Sequence, residues 1–205
     1  MAREKSKAGC LGATMVISFI VIILLLLFIP GCSKYNKMVD KQETVDKQWA
    51  QVENQYKRRM DLIGNLVETV KGYAAHENET FTQVVEARAK ASSIEINADN
   101  LDANTMAQFE EAQGGMMEAL SKLMVVVEAY PDLKADQHFT KLMDQLTITE
   151  DKIAFERQVF NEVAKVYNTY IRKFPNNIVA SIFGFDKKGY FEAPEGAENA
   201  PEVEF

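Results

Sequence analysis

The feature that most limits the fold of this chain is an uncharged apolar run near its N-terminus. No Asp, Glu, Lys or Arg occurs between Lys7 and Lys34, and residues 13–29 contain nothing more polar than Thr and Ser. A helix that crosses a bilayer needs about 20 mostly apolar residues, and a soluble helix does not carry apolar side chains on every face. The run therefore predicts a single membrane-spanning helix within an N-terminal segment, residues 1–33.

Basic residues flank this run on both sides. Arg3, Lys5 and Lys7 precede it, as in the n-region of an export signal, and favour a cytoplasmic N-terminus with the remainder of the chain outside. Four lysines within residues 34–47 oppose that orientation. The sequence favours an extracytoplasmic domain and leaves the reverse topology open.

The apolar run ends at Ile-Pro-Gly-Cys, which resembles the lipobox of a bacterial lipoprotein with Cys32 as the lipidated residue. The alternative is a juxtamembrane cysteine that follows a helix-ending Pro-Gly pair. Both interpretations attach the chain to a bacterial membrane.

Residues 34–175 show the periodicity of long amphipathic helices. In the first predicted helix, residues 34–75, apolar side chains recur every seven residues. The last predicted helix, residues 135–174, repeats the pattern at Phe139, Leu146, Ile153, Phe160, Tyr167 and Phe174. Two helices of about 20–25 residues lie between them, and short connections favour antiparallel neighbours. The sequence predicts an all-α fold: a transmembrane helix followed by an antiparallel four-helix bundle with long first and last helices.

The C-terminal segment, residues 176–205, is predicted to lie next to the membrane and to end in an acidic, disordered tail over residues 193–205. Its first part is short and strongly apolar. The residues that could contact lipid are Ile178, Val179, Ile182, Phe183 and Phe185. Insertion into the lipid interface and folding back onto the bundle are equally compatible with this composition.

Four positions on the helical stripes are polar where apolar residues are expected: Arg59, Arg88, Gln113 and Glu156. Counted from the helix ends, they fall at about one level of an up-down bundle. We expect a buried polar layer that fixes the helix register, because such layers specify pairing at a cost in stability. The alternative is that these side chains reach solvent along their own stems.

The charge balance and the missing motifs exclude several function classes. Residues 34–205 carry a net charge of about −9, which excludes nucleic-acid binding and argues against electrostatic attachment to anionic lipid. No phosphate-binding loop or nucleophile motif occurs, and the two histidines, His76 and His138, are too few for a zinc site without added carboxylates. Glu77, Glu79 and Asp136 are near enough in sequence to supply them, but the sequence favours solvated acids at helix starts. The sequence therefore predicts no enzyme activity, no cofactor, no metal and no small-molecule substrate.

Two runs resemble the signature of the LemA family of bacterial membrane proteins. They are WAQVENQYKRRMDLIGNLVETVKGYAAHENETFTQVVEARAKA, residues 49–91, and KIAFERQVFNEVAKVYNTYIRKFPNN, residues 152–177. The resemblance implies an N-terminal membrane helix, a long helical domain and no assigned catalytic residue. A relative implicated in building the magnetosome membrane implies a role in organising the envelope.

Two functions follow as hypotheses. The first is a membrane-anchored helical scaffold that binds unknown envelope proteins or itself. The second is a lipid-interface or membrane-shaping module that uses residues 178–185.

Overall fold

The computed structural model describes residues 3–74, 77–94, 96 and 100–192, with side chains described at Ser18, Phe19 and from Gly31 onward. Within these ranges the chain forms six helices and no strand. They are α1 (Arg3–Lys71), α2 (Asn78–Ser93), α3 (Ala103–Glu128), α4 (Pro131–Lys134), α5 (Gln137–Arg172) and α6 (Asn176–Phe183). The all-α prediction is confirmed. The tail predicted over residues 193–205 lies outside the described residues.

The predicted break at Pro30 and Gly31 is absent, because α1 is one continuous helix of 69 residues. A proline inside a helix removes one hydrogen bond and costs about 3 kcal/mol. The hydrogen-bond ladder that continues on both sides outweighs this local loss. Lys34, the predicted start of an independent helix, therefore lies inside α1.

The apolar run at residues 13–29 lies within α1, where side chains are described only at Ser18 and Phe19. No helix in the described part of the chain has both the length and the apolarity needed to cross a membrane.

Two short helices were not expected from the periodicity. α4 begins at Pro131, whose fixed φ suits the first position of a helix. α6 begins directly after Pro175, which follows the end of α5. Each short helix lies at one end of α5, so α4 and α6 lie at opposite ends of that helix.

The two longest helices, α1 and α5, run in opposite directions. Gln48, in the middle of α1, donates a hydrogen bond of 2.5 Å to Glu156 of α5. Tyr73, just after α1, donates one of 3.0 Å to Asp136, just before α5. Residue numbers therefore rise along α1 and fall along α5. α2 packs on α3, and these two helices share a core with α1 and α5, a group we call the bundle.

The core of the bundle is divided into two clusters. One lies toward α4 and is mainly aliphatic. The other, the proximal cluster, lies toward α6 and contains Trp49, Phe109, Phe160 and Phe191, with contacting ring centroids 5.4–6.0 Å apart. The predicted stripe of α5 is buried from Phe139 to Tyr167, and each of its members is at most 5% exposed.

Phe191 comes from a part of the chain that was expected to lie at the membrane. Residues 184–192, which we call the strap, fold back from α6 along α5. The side-chain amide of Asn168 donates to the carbonyl of Lys188 at 2.8 Å and accepts from its N–H at 2.9 Å. Asn161 forms the same pair with Phe191, at 2.8 and 2.9 Å.

The spacing of these two asparagines matches the strap. Seven residues of helix rise by about 10.5 Å, and three residues of extended chain span about 10 Å. Asn161 and Asn168 are seven apart, while Lys188 and Phe191 are three apart. One helix face can therefore satisfy two backbone positions of a strand-like segment.

Gly189 brings the strap against the start of α3. Its N–H donates to the carbonyl of Leu101 at 2.6 Å. A Cβ at this position would lie 2.9 Å from the Asp102 carbonyl oxygen and 2.9 Å from Cγ of Met106. Only glycine permits this approach without a shift of the neighbouring backbone.

Candidate membrane-facing site and buried polar layer

The five residues predicted to contact lipid lie in α6 or just after it, and they occupy two different environments. Ile178, Ile182 and Phe183 face outward and are 51%, 71% and 59% exposed. Val179 and Phe185 are half-buried against the proximal cluster. The structure therefore presents three of the five as an outward apolar surface and uses the other two to hold α6 in place.

α6 is attached directly to α1. The Tyr35 ring makes edge contacts with the rings of Phe183 and Phe185, with centroids 4.9 and 5.5 Å apart. Nζ of Lys34 donates to Oδ1 of Asn176 at 3.0 Å. The apolar surface therefore lies beside the point where α1 leaves its N-terminal run.

Phe174 adds to this surface, although the heptad pattern assigns it to the core. It follows the end of α5 and is 81% exposed. The periodicity fails here because Pro175 stops the helix, and the next turn no longer faces the bundle. The proline was the signal that could have shown the change.

Basic residues surround the apolar surface. We define the α6 end as residues 31–41 and 170–187. Its charged residues are Lys34, Lys37, Lys41, Arg172, Lys173 and Lys187, against Asp40 and Asp186. The α6 end thus has a net charge of +4 in a chain whose net charge is −7. The acidic total charge therefore does not oppose electrostatic attachment to anionic lipid at this end, because positive and negative charge are separated along the molecule.

Cys32, the residue proposed for lipidation, is exposed on α1. It lies two positions before Lys34 and is therefore part of the α6 end. Its place is compatible with a juxtamembrane residue.

The four residues of the predicted polar layer do not meet as one group. Arg59 and Gln113 are 3% and 4% exposed, and Nη2 of Arg59 donates to Oε1 of Gln113. The acid that contacts Arg59 is Glu150, whose carboxylate oxygens lie 3.2 and 3.3 Å from Nη1. The Arg59 guanidinium also lies 4.8 Å from the Tyr56 ring centroid. The buried group is therefore Arg59, Gln113 and Glu150, with Tyr56 beside it.

Arg88 and Glu156 lie elsewhere. The Arg88 side chain is 46% exposed and lies 3.9 Å from Asp61. Glu156 accepts from Gln48, as described above. Glu150 and Glu156 both contact α1, but they are six residues apart, a rotation of about 240° around an α-helix, so they lie on different sides of α5 and only Glu150 contacts Arg59.

The titratable groups near this layer serve structure. Burial raises the pKa of the Tyr56 hydroxyl, although the cations Arg157 and Arg59 oppose the shift. Burial also raises the pKa of Glu110, whose carboxylate pairs with Arg157 at the end of the strap. Both shifts favour the neutral form of the group, because burial penalises its charged form.

His76 lies outside the described residues and His138 is exposed. Within the described ranges, no three His, Cys, Asp or Glu side chains are grouped to hold a metal ion.

Comparison with known proteins adds relatives to this geometry. The chain is 30% identical over 204 residues to magnetosome protein MamQ of Magnetospirillum gryphiswaldense. This alignment covers 90% of this chain and 72% of that protein. It is 29% identical to magnetosome proteins MamQ 1 and MamQ 2 of Paramagnetospirillum magneticum, over 92% of this chain and 75% of each. Protein LemA of Metamycoplasma hominis is 23% identical, over 87% of this chain and 78% of that protein.

The family model described as LemA family matches residues 48–205. This match begins just before Trp49 of the proximal cluster and includes α2 to α6 and the strap. It leaves out the apolar run and Cys32. The chain therefore belongs to the LemA family.

Proposed function

We propose that this protein is a membrane-anchored helical protein of the bacterial envelope whose α6 end rests in the lipid interface. Its relatives include proteins named for the magnetosome, a membrane-bounded compartment, which supports a membrane context. The observation that carries the proposal is the outward apolar surface of Ile182 and Phe183 beside α1. No catalytic step is part of the proposed function.

The distances along α1 suit this arrangement. The apolar run ends at Ile29, and Tyr35 lies six residues further, about 9 Å along a helix. The headgroup layer on each side of the hydrocarbon core is about 5–8 Å thick. If residues 13–29 span the hydrocarbon, the contact between Tyr35 and α6 lies at the outer edge of the headgroup layer, and amphipathic helices insert their apolar side from this level.

A fluorophore on α6 would test this directly in the full chain. Cys10 and Cys32 are replaced by Ser, and Ile182→Cys carries an environment-sensitive dye in a reconstituted nanodisc. We expect quenching by lipids brominated on their acyl chains. The matched control is Val125→Cys on α3, which is similarly exposed, 68% against 71%, and lies toward the opposite end of the bundle. Equal quenching at the two positions would refute the placement of α6 in lipid.

A second function, a scaffold for envelope proteins or for a second copy of this chain, is favoured by the outer face of α5. Ile148, Phe155 and Val166 are 51%, 62% and 53% exposed. Their spacings of seven and eleven residues place them on one side of the helix. An apolar stripe on a solvent-facing side is typical of an interaction surface.

Photocrosslinking from position 155 would test the scaffold function. A crosslinker at Phe155 is expected to trap a discrete product. One at the exposed Thr147 of the same helix, about 80–100° around the helix from the stripe, serves as a control. Mass spectrometry of the product separates a second copy from another envelope protein. Monomer alone from both positions would remove the support for a scaffold.

We place the bundle outside the cytoplasm on a single membrane helix, with lipidation at Cys32 as the alternative means of attachment. Protease is added to cells whose outer membrane, if present, has been permeabilised and whose cytoplasmic membrane is intact. It is expected to digest the bundle. Protection until lysis would reverse the topology and exclude the lipoprotein. The mass of the mature protein distinguishes an intact N-terminus from one processed at Cys32.

A further inference from the structure

We propose that the α6 end recognises anionic lipid headgroups, so that its docking depends on the headgroup charge of the membrane. This inference rests on the proposed function and adds the class of lipid to it. A bilayer rich in phosphatidylglycerol is the partner that the surface fits.

The first observation is the separation of charge. Six Lys or Arg and two Asp lie in residues 31–41 and 170–187, while the rest of the chain is acidic. A uniform surface of this composition would be repelled by an anionic bilayer. Here the repelling charge is on the bundle beyond the α6 end, and the attracting charge is next to the apolar surface.

The second observation is that cations and apolar rings are fixed in one unit. Lys34 is hydrogen-bonded to α6 through Asn176, and the adjacent Tyr35 packs on Phe183. Lys173 is exposed directly before Phe174. An aromatic and apolar surface bordered by lysine and arginine suits the boundary between acyl chains and phosphate groups.

The third step is the expected size of the effect. A basic residue near an anionic surface strengthens binding by about fivefold, and the attraction falls within a Debye length of about 8 Å at 0.15 M salt. Six cations at the α6 end are therefore enough to shift the tethered bundle between a state in which this end is docked on the membrane and one in which it is not. The separate apolar contribution remains on a zwitterionic membrane.

The experiment uses the full chain with the dye at Ile182→Cys, in nanodiscs of phosphatidylcholine alone and of phosphatidylcholine with phosphatidylglycerol. We expect the ratio of docked to undocked dye to be at least tenfold higher in the anionic discs. Raising NaCl to 0.5 M should remove most of that difference.

Charge reversal provides the matched comparison. The triple variant Lys37→Glu, Arg172→Glu and Lys173→Glu is expected to lower docking on anionic discs to the zwitterionic level. The control triple reverses Lys134, Lys141 and Lys152, which are exposed on α4 and α5 away from the α6 end, and is expected to keep the difference. Circular dichroism confirms that both variants are folded.

The outcomes separate the two proposals. Equal docking on both lipids at low salt would overturn headgroup recognition and leave the lipid-interface proposal standing. Docking on neither lipid would refute the lipid-interface function itself. An equal loss in both triple variants would show that total charge alone acts, and would also overturn a recognition surface at the α6 end.

Discussion

The side-chain amide of Asn161 forms two hydrogen bonds with the backbone of Phe191, so a helix residue supplies the pairing that a neighbouring strand would otherwise give. Asn168 repeats the arrangement at Lys188. The strap is therefore held both by its backbone and by the Phe191 ring, which packs in the proximal cluster.

Asn168→Ala is expected to lower the free energy of unfolding by about 2 kcal/mol, because the buried N–H and C=O of Lys188 would lose their partners. Urea denaturation followed by the fluorescence of Trp49, the one tryptophan of the chain, measures this change. Asn65→Ala, at an exposed asparagine of α1, is the control and should change little. A loss below about 0.5 kcal/mol for Asn168→Ala would mean that the strap is not held by this pair.

Glu150→Ala is expected to cost about 2 kcal/mol, because the buried Arg59 would keep its charge and lose its counter-ion. Glu156→Ala removes a partner from the half-buried end of Gln48 and should cost less than half as much. Thermal unfolding of the two variants makes the comparison within one helix. A larger loss at Glu156 would contradict the assignment of Glu150 to the polar layer.

Two glycines should respond to alanine in opposite directions. Gly114 lies inside α3, and an added Cβ there meets nothing within 4 Å, so Gly114→Ala should stabilise by about 1 kcal/mol. Gly189→Ala should destabilise the protein, since its Cβ would lie 2.9 Å from a backbone oxygen. Both are read from denaturation midpoints, and a shared sign would argue against the close approach of the strap to α3.

Acid should weaken the start of α5. The backbone N–H of Phe139 and then the Tyr73 hydroxyl hold the pKa of Asp136 below its ordinary value of 3.8. The stability from this ionised cap is fully present above the ordinary value and is lost as pH falls through the lower pKa of the folded state. Asp136→Asn keeps a capping acceptor without a titrating group, so its unfolding midpoint should fall less between pH 5 and pH 2.

The control for the acid experiment is Asp144→Asn, an exposed aspartate of the same helix. It should follow the pH dependence of the unchanged protein. If Asp136→Asn and the unchanged protein lose stability in parallel, the cap does not contribute to acid sensitivity.

The all-α class and the buried stripe of α5 were predictable because both follow from local periodicity. A seven-residue apolar repeat such as Leu146, Ile153 and Phe160 indicates which side of a helix is buried, whichever helices pack against it. The choice between Glu150 and Glu156 was not predictable in this way. It depends on how far α5 is rotated relative to α1, and counting from helix ends does not give that rotation.

The strap was hidden for a different reason. Residues 186–192 are mostly charged or polar, so their composition resembles an exposed tail. These residues are held by hydrogen bonds from the side chains of Asn161 and Asn168 to the backbone of Phe191 and Lys188. Polar residues on a predicted helix do not by themselves show which distant backbone they will bind. The apolar character of residues 178–185 was visible, but which of them face outward depends on how α6 is seated against Tyr35.

The course of the strap also determines the exit point, which is the position of Glu192, the last described residue. It reaches Glu192 beside Arg157, which is near the level of Gln48 and about 18 Å further along the bundle than Tyr35. Four more glutamates follow in the sequence. For a molecule docked by its α6 end, this exit point is about two Debye lengths from the bilayer at 0.15 M salt. In this proposed arrangement the strap would act as a spacer, because the glutamates after Glu192 would be attached at a point where repulsion from an anionic surface is largely screened.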